Sequence, residues 1–477
     1  MTPGTDEERV FIVGRGEIRG RIDAFYWQPK FHAMDAIFAM LGARVAKLGS
    51  IAYGLTNGDH GGVQYTESGI RYLRGQSVTE LGLDLEKDTK FIADSEHKRM
   101  IRAEVVNGDV LYTIAGSIGN ACLVSGVERA NINQAIVRIK PGPVVIGQYL
   151  CDFLNSNIGK LQSRRIANGG VQLNINFTEV KALKVLLPEL DVQEKFVAQL
   201  ANARHAYKTA LNKADELLAS IDEYLLSELG VTLPPKSENI IANRIFMVQR
   251  KELTGWRFDP LSHSFELWQA IEEAHVPTKK LGLCCHYLKT GFAAGGDMQL
   301  FDNSGVVQLR PTNIDTNREL VFGRNVYLDK SVLMDRPDDV VRPGEVIFNN
   351  TNSQELVGKT AYMDIDGESF VCSNHMTRIA VIEDELDAEY LTSLLNAYQR
   401  LKVFFSLCTN WNNQSGVNVD LLRQLPIPLP SKEKQMVIAG NIRAIRQEAK
   451  RLRQTAETEL DAAKCRIEAI LFGEETA

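Results

Sequence analysis

The chain is written twice, and that duplication constrains its fold more than any single motif does. Landmarks of the first half return in the same order in the second. Asp23 and Asp259 stand 236 positions apart, as do Gly108 and Gly344; Asn155 and Asn396 stand 241 apart; Asn176 with Asn418, Pro188 with Pro430 and Gln193 with Gln435 stand 242 apart. Between them, Leu48-Gly49 pairs with Leu281-Gly282, Tyr72-Leu73-Arg74 with Gln308-Leu309-Arg310, Ile118-Gly119-Asn120 with Val357-Gly358-Lys359, and Asn133 with Asn374. A nearly constant offset with small insertions means two copies of one domain, opening at Arg21-Ile22-Asp23 and Arg257-Phe258-Asp259. Each copy is followed by the same kind of tail.

The tails read as long helices. After Pro188, Asp191 occupies an N-cap position with Glu194 three residues on, the pattern of a capping box. Val192, Phe196, Leu200, Ala203, Tyr207, Leu211 and onward to Leu225 then recur at steps of three and four, and Gly230 is the expected C-terminal stop. After Pro430, Ser431 can cap a second run from Ile438 through Ile442, Ile445 and Ala449 to Ile470, ended by Gly473. Alternating three–four spacing is the seam of a coiled coil. A helix of roughly 38 residues is about 57 Å long and cannot bury its apolar stripe within itself. The two are therefore expected to pair with each other, antiparallel, relating the globular copies by a pseudo-twofold axis. The chain then divides into 1–190 (globular), 191–233 (helix), 234–430 (globular) and 431–477 (helix).

Within the copies, short alternating runs predict strands at 109–113, 121–125 and 135–140, matched by 346–348, 360–363 and 377–381. Helical stretches at 147–164 and 388–405 interrupt them. The fold class is α+β.

Composition excludes several classes. None of the 477 residues begins a window approaching the ~18 uninterrupted apolar residues of a membrane span. Met1 to Arg9 lacks the basic-then-apolar profile of a signal peptide. Seven scattered cysteines without a CxxC pair argue against a disulfide framework or structural zinc, so a cytoplasmic protein is expected. The net charge of −6 weighs against strong stand-alone affinity for nucleic acid, though not against local basic faces or a grip shared with partners.

Catalytic signatures are missing. Val357-Gly358-Lys359-Thr360 imitates the end of a phosphate-binding loop, but Ser353 stands where its first glycine belongs. Gly291-Phe292-Ala293-Ala294-Gly295-Gly296 is glycine-rich without a following helix. No Asn-Pro-Pro-aromatic or Asp-Pro-Pro-aromatic methyltransferase motif is present, and the eight histidines have no metal-ligand spacing. A binding subunit is expected rather than an enzyme.

The Gly-Asp-Val-Leu-Tyr-Thr…Gly-Ser-Ile-Gly-Asn stretch at 108–120 resembles the target-recognition-domain signature of Type I restriction–modification specificity subunits. So do Ile175-Asn176…Leu187-Pro188…Gln193-Glu194 and Val417-Asn418…Pro428-Leu429-Pro430…Gln435, each leading into a heptad helix. The likeness runs from about Arg21 to Gly473. It implies two target recognition domains, each reading one half of an asymmetric, interrupted double-stranded DNA site. It further implies helices that set the gap and dock two methyltransferase subunits, with restriction/translocase subunits joining them. S-adenosylmethionine and ATP would be bound by those partners and no cofactor by this chain. One departure stands out: Asn349-Asn350-Thr351-Asn352, with a longer insert before Gly358, replaces Thr113-Ile114-Ala115-Gly116-Ser117. The two copies should therefore prefer different bases.

Base edges in the major groove are read by Arg, Lys, Asn and Gln. Copy one offers Arg71 and Arg74, then Arg164 and Arg165 leading to Asn168 and Gln172. Copy two offers Arg310 and Asn313 at the place matching Arg74, then Asn410, Trp411, Asn412, Asn413 and Gln414 at the place matching 166–172. An isolated surface arginine is more often a solvated charge than a base contact, and asparagine-rich turns often exist for backbone reasons. The Arg74 and Arg310 pair could equally be structural. The alternative to DNA reading is a non-catalytic coiled-coil scaffold of a defence complex whose globular domains bind protein.

Overall fold

The computed structural model describes residues 11–472 apart from 15–17, 19–21, 60, 88–89, 170–172, 234–240, 242–244, 246, 248–265, 302–303 and 412–413. The openings of the copies at Arg21 and at Arg257-Phe258-Asp259, and the stop at Gly473, lie outside the described residues. The chain forms two compact units, one of residues 1–211 with 453–477 and one of residues 212–452.

Both units are built to one α+β plan. In the first, a four-stranded sheet runs in the order Ala121–Leu123, Val110–Thr113, Ile136–Pro141, Ala52–Asn57; in the second, the order is Thr360–Tyr362, Val346–Asn349, Met376–Val381, Cys285–Thr290. Each unit adds a five-stranded sheet containing one parallel pair, Ile70–Leu73 with Ala130–Ile132 and Val306–Leu309 with Phe370–Cys372. A short antiparallel pair closes each domain, Val45–Lys47 on Lys184–Leu186 and Thr278–Lys280 on Pro426–Pro428. The predicted strands of the four-stranded sheets are present within a residue or two. The predicted helix at 147–164 is split at Ser156, whose hydroxyl caps the second segment by accepting from the Gly159 amide. Its counterpart is split at Lys402, in a left-handed conformation with φ 65°.

The duplication extends to individual hydrogen bonds. Asn155 accepts from the Ala121 amide and donates to the Ala121 carbonyl; Asn396 does the same to both groups of Thr360. The Gln193 carboxamide joins Ile146, Val144 and Pro188, and Gln435 joins Asp387, Glu385 and Pro430. Tyr149 donates to the Leu186 carbonyl and Tyr390 to that of Pro428. Buried polar groups must be paired, so these side chains recur wherever the same backbone must be closed. Glycine follows the same logic: a Cβ on Gly58 would lie 2.1 Å from the Asn133 carbonyl oxygen, and one on Gly291 2.0 Å from that of Cys372. One pairing is corrected. The amides of Asn133 and Ser373 donate to Leu73 and Leu309, and their carbonyls accept from Ile136 and Met376, so Asn133 corresponds to Ser373 rather than Asn374.

The two long helices span Leu190–Glu228 and Lys432–Phe472. Asp191 does not cap the first; it sits inside the first turn, where its charge still suits the positive helix end. Ser431 caps the second through the Lys434 amide, and Gly230 ends the first with φ 67°. In unit 1, Phe196 and Leu200 share a core with Ile467 and Leu471. In unit 2, Ile221 and Leu225 share one with Ile438 and Ile442, Asn441 donates to the Tyr224 hydroxyl at 2.7 Å, and Lys434 pairs with Glu228. In unit 2 these contacts run antiparallel, Lys434 meeting Glu228 and Asn441 meeting Tyr224.

Candidate nucleic-acid interface

Three loops meet at one end of the four-stranded sheet in each unit. In unit 1 the strand ending at Thr113 leads into 114–120. Ala115 bridges Asn174, which bridges Asn168, and the Ile175 amide donates to the Ile114 carbonyl. The Arg74–Gly75 corner closes on the same place, since a Cβ on Gly75 would lie 3.6 Å from the Ala115 carbonyl oxygen. In unit 2 the equivalent segments form a regular patch. Thr351–Asn352 pairs with Gln414–Gly416, which pairs with Thr409–Trp411, making a three-stranded sheet. The turn 310–314 is tied to this region by Lys359, whose ammonium donates to the carbonyls of Pro311 and Ile314, the latter at 2.5 Å. Burial lowers the pKa of that ammonium, and the neighbouring Arg318 charge lowers it further. Thr351–Asn352 and the described residues of the 409–416 hairpin, far apart in the chain, thus share one sheet.

The expected contact residues fall into distinct classes. Arg164 and Asn168 are exposed beside the unit 1 loops, and Arg74 is half-buried at their edge. Asn410, Trp411 and Gln414 are exposed on the unit 2 hairpin. The Trp411 ring folds across Gly416, where a Cβ would meet Cη2 at 2.4 Å, and remains 46% exposed. That aromatic face is available for stacking. Gln172, Asn412 and Asn413 lie outside the described residues. Arg71 is set back on its strand, its guanidinium over the Phe91 ring at 5.5 Å and donating to the Leu85 carbonyl. Arg310 braces its own turn through Gln308 at 3.2 Å.

Two of these residues are buried, and their roles as contacts are revised. Asn313 is 1% exposed; its oxygen accepts from the Arg310 amide and its nitrogen donates to Val321 and Asn325, so it shapes the turn. Arg165 is 7% exposed, pairs with Asp35 at 2.6 Å and lies 4.3 Å from the Tyr26 ring centre. Burial raises the pKa of the Asp35 carboxyl, but the hydrogen bond and charge of Arg165, with Lys184, outweigh it and hold that carboxyl below its usual value. A carboxyl with a depressed folded-state pKa stabilises above its unfolded pKa, about 3.9, and that contribution is lost as pH falls through the lower folded value. Asp35→Asn should therefore be less stable than the parent at pH 6, with the difference closing as pH falls below the usual carboxylate range, as read from thermal melts across pH. A constant difference would place the effect in packing instead.

Residues absent from the sequence-based set also hold each domain together, and one of them braces this end of unit 1. Lys160 joins Asn120 at 2.5 Å and Glu80 at 2.9 Å, bracing the 114–120 loop. Arg138 and Arg378, at matching positions in the two copies, hold the backbones of Glu104 and of Val340 and Asp338. Their 240-residue separation matches the repeat and could have revealed them. Among the described residues, no group of three or more His, Cys, Asp or Glu is placed to hold a metal ion.

The fold thus defines a duplicated α+β domain joined to paired long helices. Residues 321–460 match the family model of the Type I restriction modification DNA specificity domain. A Methanocaldococcus jannaschii protein named as the type I restriction enzyme MjaX specificity subunit is 29% identical over 96 residues, 20% of this chain and 23% of that protein, so the match spans about a quarter of the relative. Among solved structures, a chain from a type I R-M system aligns with TM-score 0.49 and 15% identity over 90% of this chain and 97% of that one. The S subunit of such a system from M. genitalium aligns with TM-score 0.40 and 12% identity over 90% and 94%. The chain is similar to the Type I specificity subunits, as its motifs implied.

Proposed function

We propose that this chain is the DNA specificity subunit of a Type I restriction–modification complex, reading an asymmetric two-part site with one half assigned to each target recognition domain. The observation that carries the reading is the convergence of the same three loops on the same scaffold in both copies, with different side chains on each. Equal scaffolds with unequal surfaces are what two different half-sites require. Linking two readers makes the second contact intramolecular, so modest half-site affinities combine into a tight one.

In this reading the helices dock two methyltransferase subunits and restriction subunits join them. The chain itself does no chemistry, and S-adenosylmethionine and ATP are held by the partners. The cytoplasm is its place of action; among the described residues no helix is long and apolar enough to cross a membrane. The functional division remains 1–190, 191–233, 234–430 and 431–477.

The test is to copurify the chain with its neighbouring methyltransferase, map methylated adenines in the host genome, and titrate duplex DNA across salt. A two-part interrupted motif and a steep fall of affinity with salt are expected. The net charge of −6 favours a protein-binding scaffold as the second reading, and salt-independent binding with no such motif would establish it.

A further inference from the structure

The turn that follows Arg74 in unit 1 and Arg310 in unit 2 is tied at both of its ends. At its root the same backbone bond closes it: the Ser77 amide donates to the Arg74 carbonyl and the Asn313 amide to that of Arg310, each at 2.8 Å. Side chains from matching loops then hold it, the Asn120 carboxamide donating to the Val78 carbonyl at 3.4 Å and the Lys359 ammonium to that of Ile314 at 2.5 Å. Val78 pairs with Leu83 and Ile314 bridges Leu320, so each turn is a short hairpin.

Beyond its root, each hairpin reaches the part of the Lys432–Phe472 helix that belongs to its own unit. In unit 1, Glu80 lies 2.9 Å from Lys160 and 3.4 Å from Lys464 of that helix. Burial favours the neutral Glu80 carboxyl, but the hydrogen bond and charge of Lys160, with those of Lys464, hold its pKa below the usual value. In unit 2, Arg446 of the helix donates to the Asn317 carbonyl at 2.5 Å and Lys450 lies 3.4 Å from Glu319. The residues differ in the two units: Val78 and Ile314 stand 236 positions apart, Glu80 and Glu319 239. What recurs is a strut from the loops at the sheet end to the helix. Glu80 is 38% exposed and Lys450 58%, and pairs this open to solvent stabilise a fold little. A strut rebuilt from different residues, at little gain in stability, points to placement. A side chain discriminates between ligand groups only when held to within about 0.5 Å of its working position.

We propose that Lys464 and Arg446 are positioning residues for base reading, each fixing through its hairpin where the loops of its own unit meet DNA. This rests on the specificity-subunit reading above. The experiment uses the full chain coexpressed with its methyltransferase partner, the parent motif being mapped first from methylated adenines. Methylation rates are then measured on duplexes carrying single base changes in either half. Lys464→Met should lose about tenfold discrimination in one half alone, and Arg446→Met a similar factor in the other half alone. Lys464→Arg, which keeps the charge, should behave as the parent, and Lys464→Met should melt within about 2 °C of it. If Arg446→Met does not accumulate folded, Lys450→Met reads unit 2 in its place. Undiminished discrimination in folded variants, equal losses in both halves, or failure of Lys464→Arg to retain the parent's behaviour overturns the proposal. Absence of any two-part motif from the parent complex would instead sink the specificity-subunit reading.

Discussion

Glu345→Ala should destabilise unit 2 by about 3–5 kcal/mol, because it strands a buried guanidinium. Arg378 is 2% exposed and Glu345 3%, with the charged groups 3.3 Å apart. The arginine also donates to the carbonyls of Asp338 and Val340, while Glu345 accepts from Tyr287 and, at 3.0 Å, from the Arg342 amide. Those extra bonds offset the desolvation of both charges, and removal of one partner leaves the other uncompensated. At ~2–4 °C per kcal/mol for a domain of this size, the unit 2 transition should fall by about 10 °C. Differential scanning calorimetry of the full chain would measure it. Asp109→Ala in copy one should cost less. Its Arg138 bonds to the Glu104 carbonyl and to Thr56 and lacks a carboxylate partner as close as Glu345. Equal losses in the two variants would refute the ion-pair account.

Exchange of residues 240–428 for the matching segment of another specificity subunit should abolish methylation at the parent site and create a motif with one new half and one retained half. The exchanged segment contains the 310–314 turn, the 349–359 loop and the 409–416 hairpin that meet in unit 2, whereas the unit 1 loops lie wholly outside it. Sequencing of methylated adenines reads the outcome directly. Change in both halves would mean that base reading is shared between the copies rather than assigned to each. Full-length Trp411 and Asn410 variants would then be needed only to rank contacts within a half.

Much of this was legible in the linear chain. Ordered offsets of 236–242 residues disclosed the duplication, and three–four spacing disclosed the helices, because a repeat and an apolar period are one-dimensional properties. Residue type singled out 164–168 and 409–414; Arg164 lies in the last turn of the Asn157–Ile166 helix, and Asn168, Asn410, Trp411 and Gln414 are exposed. Arg165 and Asn313 misled for the same reason: an arginine and an asparagine look alike in sequence whether they face solvent or Asp35 and Val321. Asp191 misled because capping signals locate a helix start only to within a residue or two.

By itself, the sequence determined that two copies of one α+β domain alternate with two helices whose stripes demand partners. Only the tertiary structure decided which loops share a surface, since the pairing of Thr351–Asn352 with 414–416 joins segments more than sixty residues apart. Only it, too, separated buried from exposed polar side chains, leaving Asn349 unpaired where Thr113 is satisfied. The physical reason is that periodicity is local, whereas burial and hydrogen-bond satisfaction are sums over neighbours that the chain brings together only by folding.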